Sequence, residues 1–214
     1  MGIQTTETRL RLLEAAAEIF SGHGYAASSV RMICARAGVN GAAINYHFGG
    51  KEGLYREVLR HVRRRAYETY PTTHGLTGNA PPREKLRAFV RSFLLRIFDE
   101  ERNPGFGALM IREMVEPTNA LDMLVEEGIC LLFSELVGIV RDIMGNGVEH
   151  EQVVAASRSA ISQCVFFLCS RSVISRMSPD QTYGPKDIEK LAEQITSFTH
   201  CALTGLAREN HGNS

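Results

Sequence analysis

The sequence has no tryptophan, no net charge and no long hydrophobic run. No stretch approaches the ~18 consecutive apolar residues of a membrane-spanning helix, and the N-terminal MGIQTTETR has no apolar signal region. These absences predict a soluble, cytoplasmic protein without a membrane partner. The chain has 214 residues, 44% of them hydrophobic, which is enough to form a large buried core.

Patterns typical of metal, redox and cofactor chemistry are also missing. The five cysteines are scattered through apolar stretches, which favours reduced core thiols over disulfides. Cys164 and Cys169 have the wrong spacing for a CxxC pair, and no HExxH motif is present. No glycine-rich phosphate loop follows a predicted strand. We therefore expect no metal, no cofactor and no enzymatic activity. A Ser/His/Asp triad stays an open alternative, because its residues meet in space and need no fixed spacing along the sequence.

The net charge of zero hides an uneven distribution along the chain. Residues 1–65 contain ten Lys and Arg against five Glu, whereas residues 66–214 contain fourteen basic and nineteen acidic residues. A basic segment joined to an acidic one is expected when only one part of a chain meets phosphates. The alternative is a chance division between two solvated surfaces.

Residues 28–54 predict two short helices joined by a tight turn, followed by the start of a third. Apolar residues recur at three- and four-residue steps over residues 30–37, which indicates one helix. Gly38 suits the left-handed backbone that ends it, and Asn40 is a good N-cap for a second helix over residues 41–48. This is the pattern of a helix-turn-helix, whose second helix enters the DNA major groove.

The second helix of this motif carries side chains suited to reading DNA. With Ile44 and Phe48 facing inward, Asn45 can pair with an adenine edge and Ala43 can touch a thymine methyl group. The serines before the first helix are expected to cap it and could also bind phosphate. The predicted DNA-binding residues are Ser28, Ser29, Arg31, Asn40, Ala43, Asn45, Tyr46, His47 and Lys51.

Residues of about 7–60 resemble the DNA-binding domain of the TetR (tetracycline repressor) family. The pattern consists of Phe-x-x-x-Gly-Tyr at 20–25, two serines at 28 and 29, Ala-Gly-Val at 37–39, an aromatic pair before Phe48, and Lys-Glu-x-Leu-Tyr at 51–55. Two features depart from it: Ala43 and Asn45 replace the usual Thr and Tyr, and Gly49-Gly50 replaces the commoner Pro-Ser. Residues 112–118, REMVEPT, resemble the CecR-type branch, whose regulators are associated with drug export.

The rest of the chain predicts helices without a convincing two-residue period. The predicted fold is all-α, with about nine helices in an N-terminal helix-turn-helix domain (1–50) and a larger effector-binding and dimerisation domain (51–214). The predicted helices outside the motif span about 6–21, 51–69, 83–101, 106–115, 119–144, 149–177 and 185–208.

The last two predicted helices carry sustained apolar stripes, and the family resemblance implies that they form a four-helix dimer interface. Dimerisation would double the base contacts on a palindromic operator. The alternative is that both helices pack only on the core of their own protomer. The predicted interface residues are Ile161, Val165, Leu168, Cys169, Ile188, Leu191, Ile195, Phe198, Ala202 and Leu206.

The family resemblance also implies that the body binds a small-molecule effector, whose identity the sequence leaves unknown. Soft, bulky side chains adapt to apolar guests, although core packing explains most of them individually. Arg112, Glu113 and His200 could orient a polar group. The candidate effector-binding residues are Phe89, Phe93, Phe106, Met110, Met114, Met123, Phe133, Phe166 and Phe167.

Three functional hypotheses follow from these observations. The leading one is a homodimeric transcriptional regulator, typically a repressor, that leaves its operator when a small apolar or amphipathic effector binds. The second is a helical small-molecule-binding protein or enzyme with a vestigial helix-turn-helix. The third is an architectural DNA binder, which would show a salt dependence but little sequence preference.

Overall fold

The computed structural model describes residues 2–73, 75–76 and 79–212, and every regular element among them is a helix. This confirms the predicted all-α class. The helices are α1 (Gly2–Ala27), α2 (Val30–Ala37), α3 (Ala42–Phe48), α4 (Lys51–Thr69), α5 (Pro82–Phe98), α6 (Phe106–Val115), α7 (Leu121–Leu124), α8 (Cys130–Met144), α9 (His150–Cys169), α10 (Arg171–Met177) and α11 (Pro185–Gly212).

The backbone contacts divide the described chain into two compact units. The head comprises the described parts of Met1–Thr69 together with Glu100–Leu124, and the body those of Tyr70–Asp99 and Val125–Ser214. Helices α4 and α6 therefore belong to the same compact unit as the helix-turn-helix. The division into a helix-turn-helix domain (1–50) and an effector-binding and dimerisation domain (51–214) stays a prediction.

Helix α1 provides the core of the head. The apolar spacing in this helix predicts a buried stripe of Leu10, Leu13, Ala17 and Phe20. Leu13, Ala17 and Phe20 are buried, but Leu10 is exposed and its place in the stripe was wrong. Leu12 lies inside instead, because the buried face is rotated from the predicted one. The helix continues beyond its predicted end at residue 21 and is interrupted at Gly24, where φ is 79°.

The caps of α2 and α3 follow from local sequence chemistry. The Ser29 hydroxyl accepts a hydrogen bond from the Met32 amide at 3.2 Å, which makes Ser29 the N-cap of α2. Gly38 ends α2 with φ 64°, a left-handed conformation that glycine adopts without steric cost. The N-cap of α3 is Gly41 and not the predicted Asn40, which lies one residue earlier. The Asn40 side-chain oxygen accepts from the Ala42 amide at 3.0 Å.

The body is built around α5, which packs on α11, α8 and α9. Buried side chains of all four helices form its core, including Phe89, Leu136, Val153 and Ile195. By length and composition, α9 could cross a membrane, but this is weak evidence because core helices of soluble proteins have the same character.

Two long predicted helices are divided in the structure. The predicted helix 119–144 consists of α7, a π-helical turn at Val125–Ile129, and α8. The predicted helix 149–177 breaks at Ser170, between α9 and α10. The Ser170 carbonyl accepts from the Val173 and Ile174 amides and so starts α10. Apolar residues continue on both sides of the break, so helical periodicity alone did not show it.

All five cysteines are free, as expected, but only two of them are core residues. Cys34 and Cys164 are buried, whereas Cys130, Cys169 and Cys201 are exposed. Burial raises the pKa of Cys164 to about 12, so its thiol stays protonated. No group of His, Cys, Asp and Glu within the described ranges is arranged to hold a metal ion.

Candidate nucleic-acid interface

Helix α3 turns its predicted reading face outward. Ile44 is fully buried and anchors the helix, while Asn45 is exposed and Tyr46 is 80% exposed. Ala43 and His47 are partly exposed beside them. Packing within the protein does not explain why a tyrosine and the asparagine next to it are both exposed. Their exposure suits contact with a DNA groove.

Phe48 is less buried than the sequence predicted. Its ring is partly exposed and lies under the guanidinium of Arg9, 5.3 Å from the ring centroid. Arg9 also pairs with Glu57 of α4 at 2.5 Å. The C-terminal end of α3 is thus covered by an α1 side chain that α4 holds in place.

The residues predicted around α2 divide into exposed and buried positions. Ser29, Arg31 and Asn40 are exposed. Ser28 is only 4% exposed, and its hydroxyl donates a hydrogen bond to the Gly24 carbonyl at 2.6 Å. Ser28 therefore braces the end of α1, and this burial does not fit the predicted phosphate contact.

Lys51 begins α4 next to the end of α3. Its ammonium lies 4.3 Å from the centroid of the Tyr25 ring, while the side chain stays partly exposed. The partly exposed ammonium of Lys51 is accessible to a phosphate from this position.

The junction between α3 and α4 depends on a glycine that the sequence analysis did not single out. A Cβ atom at Gly53 would lie 1.9 Å from the Phe48 carbonyl oxygen. Only a residue without a side chain allows the two helices to approach this closely. Gly53 was visible in the Lys-Glu-x-Leu-Tyr motif as the variable position, but its role depends on a contact five residues away.

Arg112 and Glu113 have roles that the sequence analysis did not predict. Arg112 donates hydrogen bonds to the Ser21 carbonyl at 3.3 Å and the Gly22 carbonyl at 3.0 Å. Glu113 is fully buried and accepts a hydrogen bond from the Tyr55 hydroxyl at 2.8 Å. Burial and the bond to Glu113 raise the pKa of Tyr55. Arg112 therefore fastens α6 to α1, and Glu113 fastens it to α4.

The sequence matches known families over most of its length. Residues 82–205, more than half of the chain, match the family described as the C-terminal domain of the HTH-type transcriptional dual regulator CecR. Residues 12–58 match the tetR family of bacterial regulatory proteins. The chain belongs to the TetR family.

Several curated relatives of this TetR-family chain are similar along nearly its whole length. The dual regulator CecR of Shigella flexneri is 23% identical over 98% of this chain and 97% of its own. The repressor NicS of Pseudomonas putida is 26% identical over 96% of this chain and 95% of its own. The regulator UidR of Escherichia coli is 33% identical over 86% of this chain and 82% of its own.

Solved structures of TetR regulators share the fold. PfmR from Thermus thermophilus has a TM-score of 0.62 and 24% identity, covering 88% of this chain and 96% of its own. A TetR-like regulator from Rhodococcus has a TM-score of 0.68 and 16% identity, covering 92% and 96%. At these identities the likeness establishes the fold alone.

Family membership makes this protein a DNA-binding transcriptional regulator, and the predicted family is confirmed. The relatives include both a dual regulator and a repressor, so membership alone does not give the direction of regulation. Each is named as a transcriptional regulator and not as an enzyme.

The candidate effector residues are distributed over both compact units. Phe106, Met110, Met114 and Met123 belong to the head, whereas the five phenylalanines Phe89, Phe93, Phe133, Phe166 and Phe167 belong to the body. Four open clefts on the described surface, of about 340 to 560 Å³, are lined by other residues. Phe89, Phe106 and Met123 are buried, which fits the alternative of core packing.

The predicted dimer residues fall into two groups. Ile188, Leu191 and Ile195 are buried within the protomer, so a role at an exposed interface does not fit their position. Phe198, Ala202, Leu206 and Cys169 are exposed, and Ile161, Val165 and Leu168 are partly exposed. The apolar stripe of α11 is therefore shared between the protomer's own core at its N-terminal half and the surface at its C-terminal half.

Proposed function

We propose that this regulator is a homodimeric repressor that binds a palindromic operator through α3 and is released by a small-molecule effector. The observation that carries the proposal is the outward position of Asn45 and Tyr46 on a helix anchored by buried Ile44. The Tyr46 ring contacts that of the adjacent His47, 4.9 Å between centroids, but neither Asn45 nor Tyr46 is part of the buried core. They remain available for base edges in the major groove.

The exposed end of the α11 stripe supports the dimer. Phe198 is 69% exposed, and Ala202 and Leu206 follow it at four-residue steps along the same face. On neighbouring α9, Phe166 is also exposed, and the Gln163 amide joins the two helices by donating to the Thr199 hydroxyl at 2.9 Å. A second copy of this surface would bury these side chains and place two α3 helices on one operator.

Release from DNA requires the effector to bind the two states of the protein unequally. Moving a population from 1:99 to 99:1 takes about 5.5 kcal/mol of differential binding. The soft side chains of the body, such as Phe93, Phe133 and Phe167, favour a small apolar or amphipathic effector. Because the target is operator DNA, the protein acts in the cytoplasm. The proposed regulation needs no catalysed reaction.

A footprint on the DNA flanking its own gene tests this proposal. The expected result is two protected half-sites about 10–10.5 base pairs apart, or a multiple of that spacing. Replacing Asn45 and Lys51 together should abolish the footprint, whereas Asn146→Ala, the loss of an exposed asparagine in the body, should leave it intact. Equal protection of unrelated DNA would favour an architectural binder, and retained function without binding would favour a vestigial motif.

A further inference from the structure

We propose that Arg112 and Glu113 are positioning residues for the DNA contact of Lys51, acting through Tyr25 and Tyr55. This inference rests on the proposed function, because it assumes that Lys51 meets an operator phosphate. It assigns the two α6 residues to regulation of DNA binding and not to effector recognition.

Glu113 accepts three hydrogen bonds from two residues. One carboxylate oxygen accepts from the Thr118 amide at 2.7 Å and from the Thr118 hydroxyl at 2.8 Å. The other accepts from the Tyr55 hydroxyl at 2.8 Å. A fully buried carboxylate depends on such donors, since losing one leaves charge without compensation. Glu113 therefore joins the turn after α6 to a defined position on α4.

Tyr55 transmits this position to a cluster of aromatic rings. Its ring lies 4.8 Å from that of Tyr25 and 4.9 Å from that of Phe20, measured between centroids. Tyr55 is buried, so its ring has little freedom once the hydroxyl is bound. The orientation of Tyr55 consequently limits where the ring of Tyr25 can lie.

Arg112 anchors the backbone that precedes Tyr25. Its guanidinium binds the carbonyls of Ser21 and Gly22, immediately before the interruption at Gly24. A Cβ atom at Gly24 would lie 3.1 Å from the Arg112 guanidinium, so the contact is close. The backbone that leads into Tyr25 is thus anchored by the neighbour of Glu113.

The Tyr25 ring is the surface on which the Lys51 ammonium rests, 4.3 Å from the centroid. A free lysine side chain loses rotamer entropy when it is immobilised on a partner. A ring that restrains it beforehand reduces this loss and raises affinity for a phosphate. Displacement of α6 would move the ring and remove that advantage.

The test is a double-mutant cycle on operator affinity with Tyr55→Phe, Lys51→Met and the two combined. Tyr55→Phe keeps the ring and deletes only the hydroxyl. We expect Tyr55→Phe to weaken binding about three- to ten-fold, and the double variant to bind as weakly as Lys51→Met alone. Arg112→Met, in the same cycle, should behave like Tyr55→Phe and provides a second variant at a partly exposed position.

The dependence of affinity on salt separates positioning from general stability. Lys51→Met should lower the salt slope by about one per protomer, and Tyr55→Phe should lower it in the same direction. Tyr183→Phe is the matched control, because the buried Tyr183 hydroxyl has no hydrogen-bond partner in the described part of the chain.

Three outcomes would overturn the inference. These are an additive cycle, an unchanged affinity for Tyr55→Phe beside a weakened Lys51→Met, and an unchanged affinity for Lys51→Met. In each of them the wild-type protein still binds its operator, so the proposed function stands. Failure of the wild type to bind any operator specifically would instead overturn the proposed function, and the inference with it.

Discussion

Ser28 and Ser29 are adjacent and chemically identical, yet their hydroxyls serve opposite purposes. Ser29 caps α2 from the exposed side, while Ser28 is buried and bonded to Gly24. Sequence predicts that one of the two caps the helix, because serine favours that position. It does not predict which of the two side chains faces inward, since that depends on the direction in which the backbone leaves α1.

The close approach of α3 and α4 at Gly53 can be tested by substitution. Gly53→Ala should place a methyl group against the Phe48 carbonyl oxygen and force α3 away from α4. We expect a loss of about 1–3 kcal/mol in the free energy of unfolding, measured by urea denaturation, together with weaker operator binding. Gly138→Ala is the control, because a Cβ atom there meets nothing within 4 Å. Equal stability of the two variants would contradict this account of the junction.

For the helices, the sequence predicted where they begin and end better than it predicted what they pack against. Helix α6 has its predicted bounds, because glycine and proline breaks delimit it. The apolar stripe of α11 was also predicted, but not the burial of Ile188 and Ile195 in the protomer's own core. Periodicity shows which face of a helix is apolar, but it does not show what packs against that face. Break residues inside apolar helices, such as Ser170, were missed for a similar reason.

An ion-pair ladder between α5 and α11 stabilises the body, and its strength should depend on pH. Glu193 pairs with Arg83 at 2.5 Å and Arg87 at 3.0 Å, and Arg87 also pairs with Glu189 at 3.1 Å. A hydrogen bond from Ser197, followed by those from the arginines, lowers the pKa of Glu193 from its usual value of 4.5. A lowered folded-state pKa means stability that is present above the usual value and is lost as pH falls through the lowered one.

Glu193→Gln should therefore lower Tm at neutral pH, and the difference from wild type should vanish in acid. High salt should also reduce the difference, because the side chains are partly exposed and screened. Glu151→Gln, on an exposed position of α9 without an ion pair among the described residues, is the control. A difference that persists unchanged in acid would show that Glu193 acts by packing.

For the whole molecule, the proposal requires two copies. Phe198→Asp should produce monomers in analytical ultracentrifugation, because it places a charge on the largest exposed apolar side chain of the α11 stripe. Operator affinity should fall with it, while the fold persists because Phe198 packs little in the protomer. Leu131→Asp changes a side chain of similar exposure on α8, 67% against 69%, and should remain dimeric. A dimeric Phe198→Asp protein would place the interface elsewhere.

Under the proposed function, α3 reads DNA bases through Asn45. The most direct measurement is the affinity of wild type and Asn45→Ala for a panel of operators, each with one base pair changed. We expect Asn45→Ala to lose about 1–3 kcal/mol per half-site and to become indifferent to one adenine-containing pair in each half-site. Unchanged affinity with the same base preferences as wild type would contradict the claim.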